Sequence, residues 1–153
     1  MSNPPCARRS KHAPSWPARI AAALLACCPI LPAHACWETA ANRYGVDARL
    51  LYAIAKTESS INPRAFNRNK NGSYDVGLMQ INSSWLPLLK RHGIEEKHLY
   101  DPCVSLQVGA WILAQNLHRL RDPWLAVGAY NSPTPARARA YALKVYRNLP
   151  PRR

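Results

Sequence analysis

Residues 54–63 read Ile54-Ala55-Lys56-Thr57-Glu58-Ser59-Ser60-Ile61-Asn62-Pro63, an apolar helical segment that closes on a single carboxylate and then a proline. Upstream, Asp47 is placed to cap a helix, and Leu50, Leu51, Ile54 and Ala55 recur at helical intervals, which predicts a helix over 48–59. Asn62-Pro63 ends it, since the residue before a proline is pushed out of the α region. Glu58 then falls in the last turn, where the helix dipole disfavours a negative charge and the turn of Ile54 and Ala55 removes water. Both effects raise a carboxyl pKa and keep the group protonated near neutral pH, as a general acid requires. Position on the helix alone does not separate this from a solvated glutamate pairing with Lys56 or a nearby arginine.

Outward from this segment the apolar spacing is helical and the connections are short. Cys36 to Tyr44 reads as a first helix stopped by Gly45. Residues 64–75 are polar and rich in Asn, and Asn71-Gly72 is a favoured hairpin pair, so a small β-region is expected there. Ser83 or Ser84 starts a third helix to about Arg91, with Pro87 tolerated in its first turn. Asp101-Pro102 caps the longest helix, to Leu120, and Asp122-Pro123 repeats the device for Trp124 to Tyr130. A last helix from Pro135 brings Ala138, Tyr141, Ala142, Val145 and Leu149 onto one face. The fold class is mainly α, with a small hairpin or loop region near residues 64–76.

The first 35 residues read as a secretory signal peptide. Arg8, Arg9, Lys11 and Arg19 precede an uncharged run, Ile20 to Ile30, and Ala33-His34-Ala35 supplies the cleavage pattern. Export to the periplasm follows as an expectation. Removing 35 of the 153 residues leaves 118, enough for one domain over 36–150, with residues 151–153 expected to fray. All eight acidic residues and 17 of the 21 basic ones remain, a formal charge of +9 that draws the protein to polyanions such as envelope polymers. Of five cysteines, Cys36 and Cys103 survive, and an even pair in an oxidising compartment is most simply a disulfide. Lipid attachment at Cys36 or Cys27 is the competing reading, against which Ala33-His34-Ala35 lacks a lipobox leucine.

Two further segments give Glu58 a context: Gly77-Leu78-Met79-Gln80-Ile81-Asn82, and Ala126-Val127-Gly128-Ala129-Tyr130-Asn131. With Glu58-Ser59 they resemble, in order and spacing, the E-S, G-L-M-Q-I and A-Y-N segments of the lytic transglycosylase superfamily. The resemblance covers nearly all of residues 36–150 and is closest to the small transglycosylases that accompany secretion, conjugation and pilus machines. It implies a lysozyme-like domain that cuts the bond between N-acetylmuramic acid and N-acetylglucosamine in peptidoglycan. Glu58 would protonate the bridging oxygen and then deprotonate the muramyl 6-hydroxyl, closing a 1,6-anhydro ring. Ser59 resembles the serine that supports the active-site turn. Gly77, Leu78, Met79 and Gln80 resemble the segment lining the cleft, with Gln80 for an acetamido group and Met79 for a sugar face. Tyr130 would direct its hydroxyl to Glu58, and Asn131 would hold its turn or touch substrate. Peptidoglycan strands and components of an envelope-spanning secretion or conjugation machine are the implied partners.

The acidic inventory agrees with a single acid/base. Besides Glu38, the acids Asp47, Asp101 and Asp122 read as caps and Glu95-Glu96 as a solvated pair. Asp75, a hairpin residue, is the only other acid close in sequence to the 77–82 segment and so the one candidate second carboxylate. Ordinary glycosidases need two, so a hydrolytic muramidase remains an alternative, as does a non-catalytic wall-binding assembly protein. Asn131-Ser132-Pro133 departs from the family's A-Y-N-A-G and stiffens the turn behind Tyr130. His92, His98 and His118 lack metal-ligand spacing, so no metal or other cofactor is expected. Ser83-Ser84 has no matching His/Asp set, Trp85, Trp111 and Trp124 read first as core, and nothing suggests nucleic-acid binding.

Overall fold

The computed structural model describes residues 33–152, which fall in one compact unit. Residues 1–32 of the predicted signal sequence, with Cys27 and its lipidation alternative, lie outside the described residues. Among the described residues, six α-helices and a three-stranded antiparallel sheet make a mainly helical domain, as expected from the apolar spacing. Helix α1 (Ala33–Tyr44) starts three residues before the expected Cys36, there being no helix breaker between them. Its small residues Ala40 and Ala41 are buried against the long α4 (Pro102–Leu120). A disulfide from Cys36 to Cys103, with Cα atoms 5.3 Å apart, ties the two helices together.

Helix α2 (Ala48–Ser59) is capped by Asp47, which accepts from the Arg49 amide, and buries Leu51, Ala53, Ile54 and Ala55. It spans the predicted 48–59 and ends at Ser59, with Asn62-Pro63 just beyond. Ser60 and Ile61 both adopt left-handed backbone, φ 54° and 65°, and the Ser60 amide closes the helix on the Ala55 and Lys56 carbonyls. A β-branched residue in that region is rare, and such strain collects at functional turns.

The sheet has one strand more than the predicted hairpin. Strands β1 (Phe66–Arg68) and β2 (Tyr74–Val76) pair around a loop with Asn71-Gly72 at its tip, and β3 (Ile81–Asn82) adds along β2 so that Asp75 lies opposite Asn82. β3 escaped the sequence reading because two residues are too few for an alternating pattern.

The expected helix over 84–91 divides into a 3₁₀ turn, Ser83–Trp85, capped by Asn82, and α3 (Leu86–Lys90). Glu96–Tyr100, for which the sequence reading gave no element, is a 3₁₀ helix that buries Leu99 completely. Helices α5 (Pro123–Asn131) and α6 (Pro135–Arg147) complete the domain. They approach closely at Gly128, where a β-carbon would come within 2.8 Å of the Ala138 carbonyl.

Candidate active site

A cleft of about 660 Å³ opens between the sheet and the helical lobe. Glu58 reaches it from the last turn of α2, Asn69 to Asn82 from the sheet, and Tyr130 to Arg137 from the α5–α6 junction. Burial pushes the Glu58 carboxyl up to about 7, opposed by the Tyr141 hydrogen bond and aided by the nearby charge of Asp75. Glu58 is thus half protonated near neutral pH and able both to give and to take a proton.

The tyrosine that faces Glu58 is not the one the resemblance implied. Tyr141 of α6 donates to Glu58 Oε1 at 2.6 Å. Its own pKa is raised, by burial first and then by the Glu58 charge, so it stays a donor. Tyr130 instead donates to the Met79 carbonyl at 3.0 Å. Burial, then the charges of Glu58 and Asp75, likewise keep it protonated. Tyr141 was visible only as part of the core face of α6. The signal that would have found it is its hydroxyl, because a buried tyrosine needs an acceptor.

The segment 77–80 supports the cleft more than it lines it. Of its four residues only Gln80 is in the wall. Leu78 and Met79 are buried, so Met79 meets no sugar face; its side chain packs on Gly109. The Met79 amide donates to Ser105 Oγ at 3.1 Å, so with Tyr130 on its carbonyl both backbone groups are held. Gly77 turns the chain at φ 79°, and a β-carbon there would sit 2.0 Å from the Leu99 carbonyl oxygen. Gln80, in left-handed backbone, spends its amide protons on the Gly77 and Ala65 carbonyls at 2.9 and 3.2 Å. Its N–H donors are therefore not free for an acetamido oxygen.

Ser59 Oγ donates to the Leu78 carbonyl at 2.7 Å and accepts from the Asn62 amide at 3.1 Å, which joins the end of α2 to the 77–80 turn. Asn131 is exposed at the rim, beside Ser132 and Pro133. Asp75 enters the same cleft, where Asn69 Nδ2 and Asn82 Nδ2 donate to its two carboxylate oxygens at 2.9 and 2.7 Å. This amide bracket escaped the sequence reading because its members are brought together by β-pairing.

A proton-bearing carboxyl at the meeting of a helical lobe and a small sheet, with a tyrosine holding it, defines a lysozyme-like glycan-cleaving domain. The family model described as Transglycosylase SLT domain matches residues 35–145, and the chain belongs to that family, the peptidoglycan lytic transglycosylases. It is 46% identical to invasion protein IagB of Salmonella typhimurium over 118 residues, 74% of each chain. It is 39% identical to protein IpgF of Shigella flexneri over 122 residues, 79% of this chain and 80% of that one. Among solved structures it is similar to an inactive glutamate-to-glutamine form of lytic transglycosylase Slt from Pseudomonas aeruginosa. The TM-score is 0.63 at 21% identity, over 79% of this chain but only 24% of that one. That likeness speaks for the fold alone.

Proposed function

We propose that the protein cuts the β-1,4 bond between N-acetylmuramic acid and N-acetylglucosamine with Glu58 as its sole acid/base. The carboxyl gives its proton to the bridging oxygen as that bond breaks. The resulting carboxylate then takes the proton of the muramyl 6-hydroxyl while that oxygen closes onto C1, leaving a 1,6-anhydro end. The observation that carries this reading is a glutamate raised to about 7 by burial in a polar, sugar-sized cleft. Tyr141 would hold the carboxyl in one orientation through both steps, and Ser59 and Gly77–Gln80 would hold the turn from which it projects.

Digestion of purified sacculi, with mass spectrometry of the products, tests the reaction. Anhydro-terminated muropeptides from wild type, and a rate at least about a thousandfold lower for Glu58→Gln, are expected. Asp75 gives a second reading some support, because a bracketed carboxylate in the same cleft suits a two-carboxylate hydrolase. Reducing ends, lost in Asp75→Asn, would establish that reading in place of the first.

The setting we infer is the periplasm, with local wall opening for an envelope-spanning secretion, conjugation or pilus apparatus. The name of the Salmonella relative, an invasion protein, supports that setting. So does the disulfide, which persists in oxidising compartments. None of the described helices is long and apolar enough to cross a membrane. Fractionation of cells carrying the tagged full chain checks the location.

A further inference from the structure

On the side of α6 away from the cleft, the surface changes character. Leu143 and Tyr146 are 49% and 59% exposed, and Trp124 and Leu125 from the first turn of α5 are 40% and 60% exposed. The Trp124 and Tyr146 rings meet edge to face at 5.4 Å, which joins the two helices in one patch, with Leu143 one turn before Tyr146 and Leu125 next to Trp124 in the chain. Arg139 lies one turn before Leu143 and Arg147 one turn after it, so cations flank the apolar stripe along the helix. Neither arginine forms an ion pair among the described residues. From Arg121 to the C-terminus the chain carries seven Lys and Arg against one acid, Asp122, whose carboxylate is engaged on the α5 N-terminus through the Leu125 amide at 2.8 Å.

From this we infer that the α5–α6 face docks the protein reversibly on an anionic lipid surface. Large apolar side chains left exposed together mark an interaction site rather than chance. The polar groups around them are guanidiniums, an indole N–H and a phenol, which donate to phosphate oxygens, and the one nearby carboxylate, Asp122, already accepts from the Leu125 amide. Amphipathic Trp and Tyr with Leu, fringed by Arg, is the composition that settles shallowly at the headgroup boundary. A second copy of this chain is a poor occupant, because a self-complementary contact would set Arg139 and Arg147 against their own kind. A protein partner would have to supply carboxylates matched to particular arginines, whereas a lipid surface needs only diffuse negative charge. The cleft lies on the opposite flank of α6, where Arg137 and Tyr141 project, so docking leaves it open to the wall.

Co-sedimentation of the purified protein with vesicles tests the inference. Binding to mixed phosphatidylglycerol and phosphatidylcholine vesicles, and not to phosphatidylcholine alone, is expected. Arg139→Gln with Arg147→Gln should weaken it about thirtyfold. Leu125→Ser with Leu143→Ser should abolish quenching of tryptophan fluorescence by brominated lipid, which the wild type shows and a Trp124→Phe variant largely loses. Unchanged melting temperature and unchanged sacculus digestion would certify that the variants are folded. Two results overturn the inference: no binding to anionic vesicles, or binding that all these variants retain, which would assign it to net charge. In the first case, loss of wall opening in cells carrying the same variants would give the face to a protein partner.

Discussion

At the scale of single residues, the molecule turns on one carboxyl whose folded environment favours its neutral form. Between about 4.5 and 7, folded Glu58 keeps a proton that the unfolded chain has released. The folded state then binds more protons, so this group's contribution to stability falls as pH rises through that window and is level above it. Glu58→Gln removes the ionisation while still accepting from Tyr141. It should therefore stabilise the protein at pH 8 by up to about 3 kcal/mol and leave it unchanged at pH 4, as calorimetry at the two pH values would read. For the same reason kcat/KM should decline as pH rises through about 7, where the acid form is lost.

Tyr141 donates to the carboxylate and so holds that pKa down. Tyr141→Phe should move the alkaline limb to higher pH and lower kcat about tenfold. Tyr130→Phe, which loses only the bond to Met79, should cost about 1 kcal/mol of stability and leave the limb in place. That Glu58 is a candidate acid was legible from its place at the end of an apolar helix together with the 77–82 and 126–131 segments. The identity of its tyrosine was not, because Tyr141 is 83 residues away in the chain and only the packing of α6 on α2 brings them together.

Among elements, the turn between β2 and β3 is the most constrained connection. It must place Gly77 against the Leu99 carbonyl, bury Leu78 and Met79, and leave Gln80 at the cleft wall. Gly77→Ala adds a β-carbon 2.0 Å from backbone oxygen in a backbone region that resists side chains. It should cost at least about 2 kcal/mol in chemical denaturation and reduce activity with it, since the end of α2 leans on this turn through Ser59. Helix starts were legible because Asp47, Asp101 and Asp122 cap them with their own side chains. The end of α2 at Ser59 was legible too, but the left-handed backbone of Ser60 and Ile61 was not, because their side chains disfavour it.

For the whole molecule, the Cys36–Cys103 bridge spans 67 residues of chain, including α2 and the whole sheet. Replacing both cysteines by serine should lower stability by about 4 kcal/mol in the chain-entropy description. Thermal unfolding with and without reductant would measure it. The loss should fall on folding rather than on chemistry, since neither sulfur touches the cleft.

The amino-acid sequence by itself determined the helical class, the caps, the paired cysteines and the place of Glu58 at the end of an apolar helix, because each is written in neighbouring residues or in composition. Only the tertiary structure decided which tyrosine meets Glu58, that Met79 is core and not cleft, and that Asn69 and Asn82 clasp Asp75. Those contacts join residues on different elements, and their free energy depends on the burial and backbone pairing of the finished fold, which local spacing does not encode.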